Sequence, residues 1–179
     1  PFGWKVHDVG RPSPRDGAGV VFDAGRGELL IVGGANAGLT LAETWRLDAA
    51  SHRWSFLSGG PPGRAGAAVV RQSSEQVLVF GGIHREGMLH EVLADTWQLD
   101  PVQAKWTRHL PAGPPPRAYA ATALDVDRGV VVMLGGVDAA GHELGDVWEW
   151  DGAGWLEHAA DQPPPARSHA AMAYDSLRK

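Results

Sequence analysis

The chain contains no cysteine, which excludes disulfides and thiolate-bound metals and leaves its redox compartment open. Lysine is scarce, and the net charge is −5, so the basic stripe that nucleic acid requires is missing. The longest purely apolar run, Val130 to Leu134, is too short to cross a bilayer. We therefore predict a soluble protein with no nucleic-acid partner and no membrane insertion.

Glycine and tryptophan are abundant, with 24 and eight residues, and they recur in a fixed order. Three hydrophobic runs end in Gly-Gly, beginning at Gly33, Gly81 and Gly135, which lie 48 and 54 residues apart. Each run follows a Pro-rich turn with an arginine, and two tryptophans come after it, the first of them two residues behind an acid. The acid and first tryptophan are Glu43 and Trp45, Asp95 and Trp97, and Asp146 and Trp148; the closing tryptophans are Trp54, Trp106 and Trp155. The repeat unit is about 50 residues long.

Each unit predicts four short strands, because β-branched segments alternate with Gly, Pro and Asp and show no helical period. Strand A follows the arginine (Arg64 to Val70 in the second unit), B runs into Gly-Gly, and C and D carry the two tryptophans. Small residues place A innermost, and Asp23 to Gly27 has the composition of a tight A–B turn. We predict an all-β propeller of four-stranded antiparallel blades at 14–58, 62–110 and 116–158.

Three full blades are fewer than the roughly four to eight of a closed propeller. Residues 1–10 have the spacing of an outer strand from a preceding blade, and residues 165–179 have that of the inner strand of a following blade. We expect an excerpt of a longer protein; the alternative is self-association of copies to complete a ring. Because the chain opens in mid-repeat, the absence of a leader peptide leaves its localisation undetermined.

Together, the Pro-Arg turn, the hydrophobic Gly-Gly, the run Asp95-Thr96-Trp97-Gln98-Leu99-Asp100 and the later tryptophan resemble kelch repeats over essentially the whole chain. Animal ubiquitin-ligase adaptors of this family usually carry Tyr where this chain has Leu47, Leu99 and Trp150, so the repeats are more similar to bacterial kelch proteins. The resemblance implies the propeller fold. It does not select a function, because the family includes both adaptors and a few enzymes.

The four repeated arginines enter strand A from the same end of the array: Arg15, Arg64, Arg117 and Arg167. As a circle of guanidinium groups at a channel mouth, they are candidates for binding a carboxylate or a sugar acid. Alternatively, the arginines pair with the acids that head strand C, which are Glu43, Asp95 and Asp146. A residue repeated in every blade usually belongs to the scaffold, so we predict the pairing.

The B–C segments are the long and variable ones, at 35–42, 83–94 and 137–145. Variable loops on a rigid scaffold usually carry recognition, so we predict that a protein partner docks on the face formed by the B–C loops and D–A turns. The loop from His84 to Glu91 is expected to contribute most. The candidate binding residues are Asn36, His84, Arg85, Glu86, His90, Asp138 and His142.

Two other kinds of site receive less support from the sequence. A divalent metal held by His84, His90, Glu91 and Asp95 has suitable ligand types, but a solvated loop is the preferred interpretation, and we predict no cofactor. Ser168-His169 lacks a Gly-x-Ser-x-Gly turn, and neighbours in sequence rarely face each other, which argues against hydrolysis.

His169 occupies the position of Gly17, Gly66 and Tyr119 in the other units. It is therefore a non-repeating polar residue near the axis, and it joins the arginines as a channel candidate. We predict a non-catalytic recognition scaffold for a protein or other ligand. The alternatives are a bacterial enzyme of the kelch fold that acts on a sugar or sugar acid in the central channel, and a structural module attached to an enzyme domain outside this chain.

Overall fold

The computed structural model describes residues 10–110, 112–159 and 164–178. Within these ranges it contains strands and turns and no helix. Three four-stranded antiparallel sheets dominate, and each corresponds to one sequence repeat. We name the sheets blade one, blade two and blade three, in chain order.

The strands are numbered along the chain. Blade one contains β1 (Gly19–Asp23), β2 (Glu28–Val32), β5 (Glu43–Asp48) and β6 (Arg53–Gly59). Blade two contains β7 (Ala68–Ser73), β8 (Gln76–Phe80), β11 (Thr96–Asp100) and β12 (Lys105–His109). Blade three contains β13 (Ala121–Asp125), β14 (Val130–Val137), β15 (Glu143–Trp150) and β16 (Trp155–His158). Two small ribbons pair β3 (Ala35–Asn36) with β4 (Leu39–Thr40), and β9 (Ile83–Glu86) with β10 (Leu89–Val92).

In every blade the sheet order follows the predicted order A, B, C, D, and all pairs of neighbouring strands are antiparallel. The first tryptophan of each repeat occupies the same place in its sheet. Trp45 lies opposite Ile31, Trp97 opposite Val79, and Trp148 opposite Met133. The prediction of an all-β array of four-stranded propeller blades is therefore confirmed.

Strand A begins later than the sequence predicts. In blade two it starts at Ala68 rather than at Arg64, because Gly66 has a φ of +64° that interrupts the extended backbone. Ala65 pairs instead with Ile83 at the base of the second ribbon. β7 lies against both β1 and β13, as expected of inner strands.

The two predicted flanking strands have different outcomes. Most of the first, at residues 1–10, lies outside the described residues. Residues 164–178 contain no strand, because no further B strand is present among the described residues to pair with them. Their start nevertheless joins the array, since the Arg167 amide donates to the Leu144 carbonyl at 2.9 Å.

The Gly-Gly pairs turn the chain out of strand B and tie each blade to the next. Both glycines of every pair have positive φ, and a Cβ on Gly81 would lie 2.4 Å from the Arg117 carbonyl oxygen, so this position accepts no side chain. The Gly82 amide donates to that same carbonyl at 2.9 Å. Glycine here allows the close approach that links neighbouring blades.

The core lies between the blades. Val21 and Leu30 of blade one pack with Val77 and Leu99 of blade two. Two further clusters join blades two and three: Val70, Leu78, Val131 and Trp150, and Ala68, Phe80 and Met133. The closing tryptophans reach back to the preceding blade, where the indole of Trp155 donates to Thr96 Oγ1 at 2.9 Å and that of Trp106 donates to Ser58 Oγ at 3.1 Å. Burial between blades holds the array together.

Candidate functional site

The repeated arginine forms a buried clamp within its own blade. Arg64 donates from its two terminal nitrogens to the two carboxylate oxygens of Asp95, at 2.7 and 2.9 Å. It also donates to the carbonyls of Gly81 and Pro62, and the Trp97 indole donates to Asp95 Oδ2 at 2.6 Å. The arginine therefore joins the D–A turn, the Gly-Gly pair and the head of strand C in one hydrogen-bonded unit.

The same clamp recurs in the other blades. Arg117 holds Asp146 with two bonds of 2.6 Å, and Arg15 holds Glu43 at 2.7 Å. Arg64 and Arg117 are only 2% and 1% exposed. The predicted pairing of each arginine with a strand C acid is confirmed for blades one to three. The pairing gives these arginines a structural role in the scaffold.

The clamp also sets the ionisation of its acids. Burial alone would raise the pKa of Asp95, but the hydrogen bonds and charge of Arg64, with the bond from Trp97, outweigh burial and lower this pKa below its ordinary value. The pKa of Asp146 is lowered in the same way, against burial, by Arg117 and Trp148. Both acids are therefore ionised at neutral pH.

The fourth arginine differs from the others. Arg167 donates Nε–H to the Pro165 carbonyl at 2.9 Å, as its counterparts do with the residue two places earlier. No carboxylate within the described ranges lies at salt-bridge distance from it. Arg167 keeps the local geometry of the clamp without the acid.

The segment around His84 forms an ordered ribbon rather than a solvated loop. β9 and β10 pair through a two-residue turn in which Gly87 has a φ of +61°. This ribbon is longer than the β3–β4 ribbon beside it, with four residues a strand against two. Its tip is exposed: Met88 is 103% and Leu89 51% accessible. Blade two thus carries an ordered ribbon with an exposed tip on the B–C side.

His84 fixes the ribbon instead of pointing outward. Its side chain is 15% exposed, and Nδ1 donates to the Gly63 carbonyl at 2.6 Å. Thr40 Oγ1 bridges both backbone groups of Arg85, accepting from the amide and donating to the carbonyl, each at 3.0 Å. Replacing His84 therefore removes an anchor and should lower the melting temperature, unlike replacement of the exposed residues of the ribbon.

The other predicted binding residues differ in availability. Arg85, Glu86 and His90 are exposed on the ribbon, and Asn36 is exposed on the neighbouring one. Asp138 is engaged within its own loop, accepting from the amides of Ala140 and His142 at 2.8 Å. This contact closes the third B–C loop into a compact turn and leaves the His142 ring exposed.

The described residues contain no group of three or more side chains able to hold a metal ion. Within the candidate set, His84 faces Glu91 across the ribbon, whereas His90 faces Arg85 and so points to the opposite side. Both carboxylate oxygens of Asp95 already accept hydrogen bonds from Arg64. Of the four residues in the metal alternative, the ribbon therefore brings His84 and Glu91 to one side and places His90 on the other.

Near the axis, four equivalent residues share one unusual backbone conformation. Gly17, Gly66, Tyr119 and His169 have φ between +55° and +64°. After Gly17, each amide donates to the carbonyl of the preceding member, at 2.8, 2.7 and 3.0 Å, which forms a continuous chain of three bonds across the blades. Two members are not glycine, and each side chain in this conformation costs about 1–2 kcal/mol.

The two side chains at these strained positions stack on each other. The rings of Tyr119 and His169 lie 4.1 Å apart at an angle of 19°. His169 Nδ1 lies 3.1 Å from Ser168 Oγ, which donates to Glu143 Oε1 at 2.9 Å. The expectation that Ser168 and His169 do not face each other is therefore wrong. The cluster became visible only through the fold, although His169 stood out in the sequence.

The order of bonds in this cluster does not match nucleophilic catalysis. The carboxylate of Glu143 holds Ser168, and the serine in turn holds His169. A serine hydrolase needs the acid on the histidine and the serine on the other ring nitrogen.

Three four-stranded sheets, each built around the same arginine, acid and tryptophan, define a β-propeller array of repeated blades. The sequence matches the model of the KLHDC2/KLHL20/DRC7 Kelch-repeats domain over residues 4–177. The chain belongs to the kelch-repeat family.

Similar proteins come from plants. Adagio-like protein 1 of Oryza sativa subsp. japonica is 32% identical over 141 residues, which cover 74% of this chain and 22% of that protein. Adagio protein 3 of Arabidopsis thaliana is 28% identical over 149 residues, covering 78% and 24%. The chain thus spans less than a quarter of either relative, and these matches lend no support to the bacterial affiliation predicted from the repeats. In the described part of the chain, no helix is long and apolar enough to span a membrane.

Proposed function

We propose that this chain is a non-catalytic recognition scaffold that binds a protein partner on the face formed by the B–C segments and the D–A turns. The observation that carries the proposal is the β9–β10 ribbon, which projects an exposed tip from a rigid support. Family membership supports the general role, since kelch repeats serve as interaction scaffolds.

The ribbon is pre-organised for binding. Its base is joined to the segment before β7 by the pairing of Ala65 with Ile83, and one edge is bonded to Thr40 of the β3–β4 ribbon. An ordered element loses little conformational entropy when a partner docks, so more of the contact energy appears as affinity.

The exposed residues of the ribbon combine apolar and charged chemistry. Met88 and Leu89 stand at the tip, with Arg85, Glu86 and His90 beside them. Between the two ribbons lies an open groove of about 290 Å³, lined by Leu39, Thr40, Ala42, Gly63, His84, Arg85 and Glu86. An apolar centre with a polar margin is the composition that protein interfaces favour.

The competing enzyme hypothesis loses its main candidates in this geometry. Arg64 and Arg117 are buried, and four hydrogen bonds engage each guanidinium within its blade. A ring of free arginines facing a channel substrate therefore receives no support from blades two and three.

The test is a selection of binding partners from a displayed protein-fragment library, followed by affinity measurement with variants. Arg85→Ala, Met88→Ser and His90→Ala should each weaken binding, and the melting temperature should stay near that of the wild type because these side chains are exposed. Arg53→Ala and His52→Ala on the opposite face are matched controls that should leave affinity unchanged.

Two results would contradict the proposal. One is a partner whose affinity falls with the Arg53 and His52 variants while the ribbon variants bind normally, because docking would then use the opposite face. The other is turnover of a sugar acid by the purified protein that disappears when a channel residue is changed.

A further inference from the structure

The axial cluster, which consists of Tyr119, Glu143, Ser168 and His169, includes backbone strain that the scaffold does not require. Gly17 and Gly66 adopt the same positive φ and make the same inter-blade bonds as Tyr119 and His169. Glycine therefore satisfies the backbone at this position, and the larger side chains add strain without adding a backbone bond. Side chains retained against strain point to a role for the side chains themselves.

The cluster presents a flat ring beside a carboxylate. The Tyr119 ring lies over Gly66, since a Cβ added there would be 2.5 Å from Tyr119 Cε1, and His169 stacks on Tyr119. His169 is itself exposed. Ser168 Oγ donates its hydrogen to Glu143, so it accepts from His169 Nδ1. The other ring nitrogen of His169, Nε2, is left as an open acceptor.

Glu143 differs from the acids of the clamps. Those acids each hold an arginine, whereas no cationic side chain in the described ranges lies within salt-bridge distance of Glu143. Its Oε1 accepts from the amide and hydroxyl of Ser168, at 3.1 and 2.9 Å, and the residue is exposed. The cluster therefore joins an unneutralised carboxylate to an exposed imidazole on a chain whose net charge is −5.

We propose that Glu143, Ser168, His169 and Tyr119 form a binding site for the guanidinium group of an arginine side chain in a protein partner. A planar cation stacks on the exposed imidazole and donates to Glu143. An anion would meet the charge of Glu143, and a neutral ring would leave that charge unused. This inference rests on the proposed recognition function, which it deepens by naming the group recognised.

The experiment titrates the ¹⁵N-labelled protein with acetyl-Gly-Arg-Gly-amide and follows the amide signals of Tyr119, Ser168 and His169. The corresponding lysine peptide should bind more weakly, because its ammonium cannot stack as a plane or donate in a fork. The citrulline peptide, which keeps the shape without the charge, should shift these signals least. Agmatine tests a free guanidinium, and the partner assignment predicts that it binds no more tightly than the arginine peptide.

Variants separate binding from structure. Glu143→Gln should weaken the arginine peptide about tenfold or more, because it removes the charge from the hydrogen-bonded pair. His169→Gly and Tyr119→Gly should also weaken it, while the melting temperature holds or rises as strain is relieved. Glu75→Gln, an exposed acid in the A–B turn of blade two, is the matched control and should bind as the wild type does.

The proposal is overturned if the arginine peptide leaves the three amide signals unmoved, if citrulline binds as well as arginine, or if Glu143→Gln binds normally. Tighter binding of agmatine than of the peptide would overturn the assignment to a protein side chain. These outcomes are distinct from failure of the recognition function, because the Arg85, Met88 and His90 variants report on the ribbon. They should leave binding of the arginine peptide unaffected.

Discussion

Replacing Asp95 with asparagine tests whether the clamps stabilise the blades. The change keeps the shape of the side chain and removes its charge. Arg64 remains 2% exposed, with its positive charge facing an amide, and the Trp97 indole loses its ionised acceptor. An uncompensated charge in a buried site is strongly destabilising, because neither water nor a counter-ion replaces the lost partner.

The expected magnitude follows from the burial of both partners. The Asp95 side chain is 14% exposed, so the pair lies close to the fully buried case, in which loss of one partner costs about 3–5 kcal/mol. For a chain of this size about 1 kcal/mol shifts the melting temperature by roughly 2–4 °C. Asp95→Asn should therefore lower the melting temperature by roughly 6–20 °C, as measured by calorimetry.

The control is Arg128→Ala, which breaks an ion pair at the surface. Arg128 contacts Asp125 and Glu149, each at 2.6 Å, but its side chain is 52% exposed, so water replaces the lost contacts. Its melting temperature should stay close to the wild-type value. A decrease in melting temperature for Asp95→Asn no larger than that of Arg128→Ala would refute the argument. It would also be refuted if a double variant of Arg64 and Asp95 lost as much folding free energy as the two single variants together.

Two further predictions concern acid and glycine. The folded-state pKa values of Asp95 and Asp146 are lowered, so the contribution of these acids to stability is complete above the ordinary aspartate pKa of about 4. That contribution is lost as the pH falls through the folded-state pKa values. Melting temperatures measured from pH 7 to pH 2.5 should therefore decline in the wild type, and the decline should be shallower for Asp95→Asn. Gly81→Ala should prevent folding or destabilise far more than Gly87→Ala in urea unfolding. Both glycines have φ near +60°, but a Cβ meets the Arg117 carbonyl at Gly81 and open space at Gly87, so similar losses would contradict the packing argument.

The repeats made most of the fold predictable. Gly81-Gly82, Asp95 and Trp97 recur at nearly constant spacing in all three units, and chemistry of this kind requires the same local structure each time. Strand order followed from the short, turn-bounded segments. The pairing of arginine with the strand C acid followed from the fact that A and C begin at the same end of a blade.

Details that depend on non-repeating residues could not be predicted in this way. The sequence around His84 has the composition of a solvated loop, and only the contacts with Gly63 and Thr40, which lie 21 and 44 residues away, show that it is an anchored ribbon. The sequence predicts too early a start for β7, because the left-handed conformation of Gly66 depends on its bond to Gly17 in the preceding blade.

Residue spacing and chemistry were enough to establish the class of this protein: a repeat of about 50 residues, its four strands, and the arginine, acid and tryptophan that hold each blade together. These features are local or recur with the repeat, so spacing and residue chemistry are sufficient to find them. The tertiary structure alone decided which side chains are available for binding. It buried Arg64 and Arg117, anchored His84, and brought Glu143, Ser168, His169 and Tyr119 together. Bonds between blades, such as that from the His169 amide to the Tyr119 carbonyl, place residues from different repeats side by side.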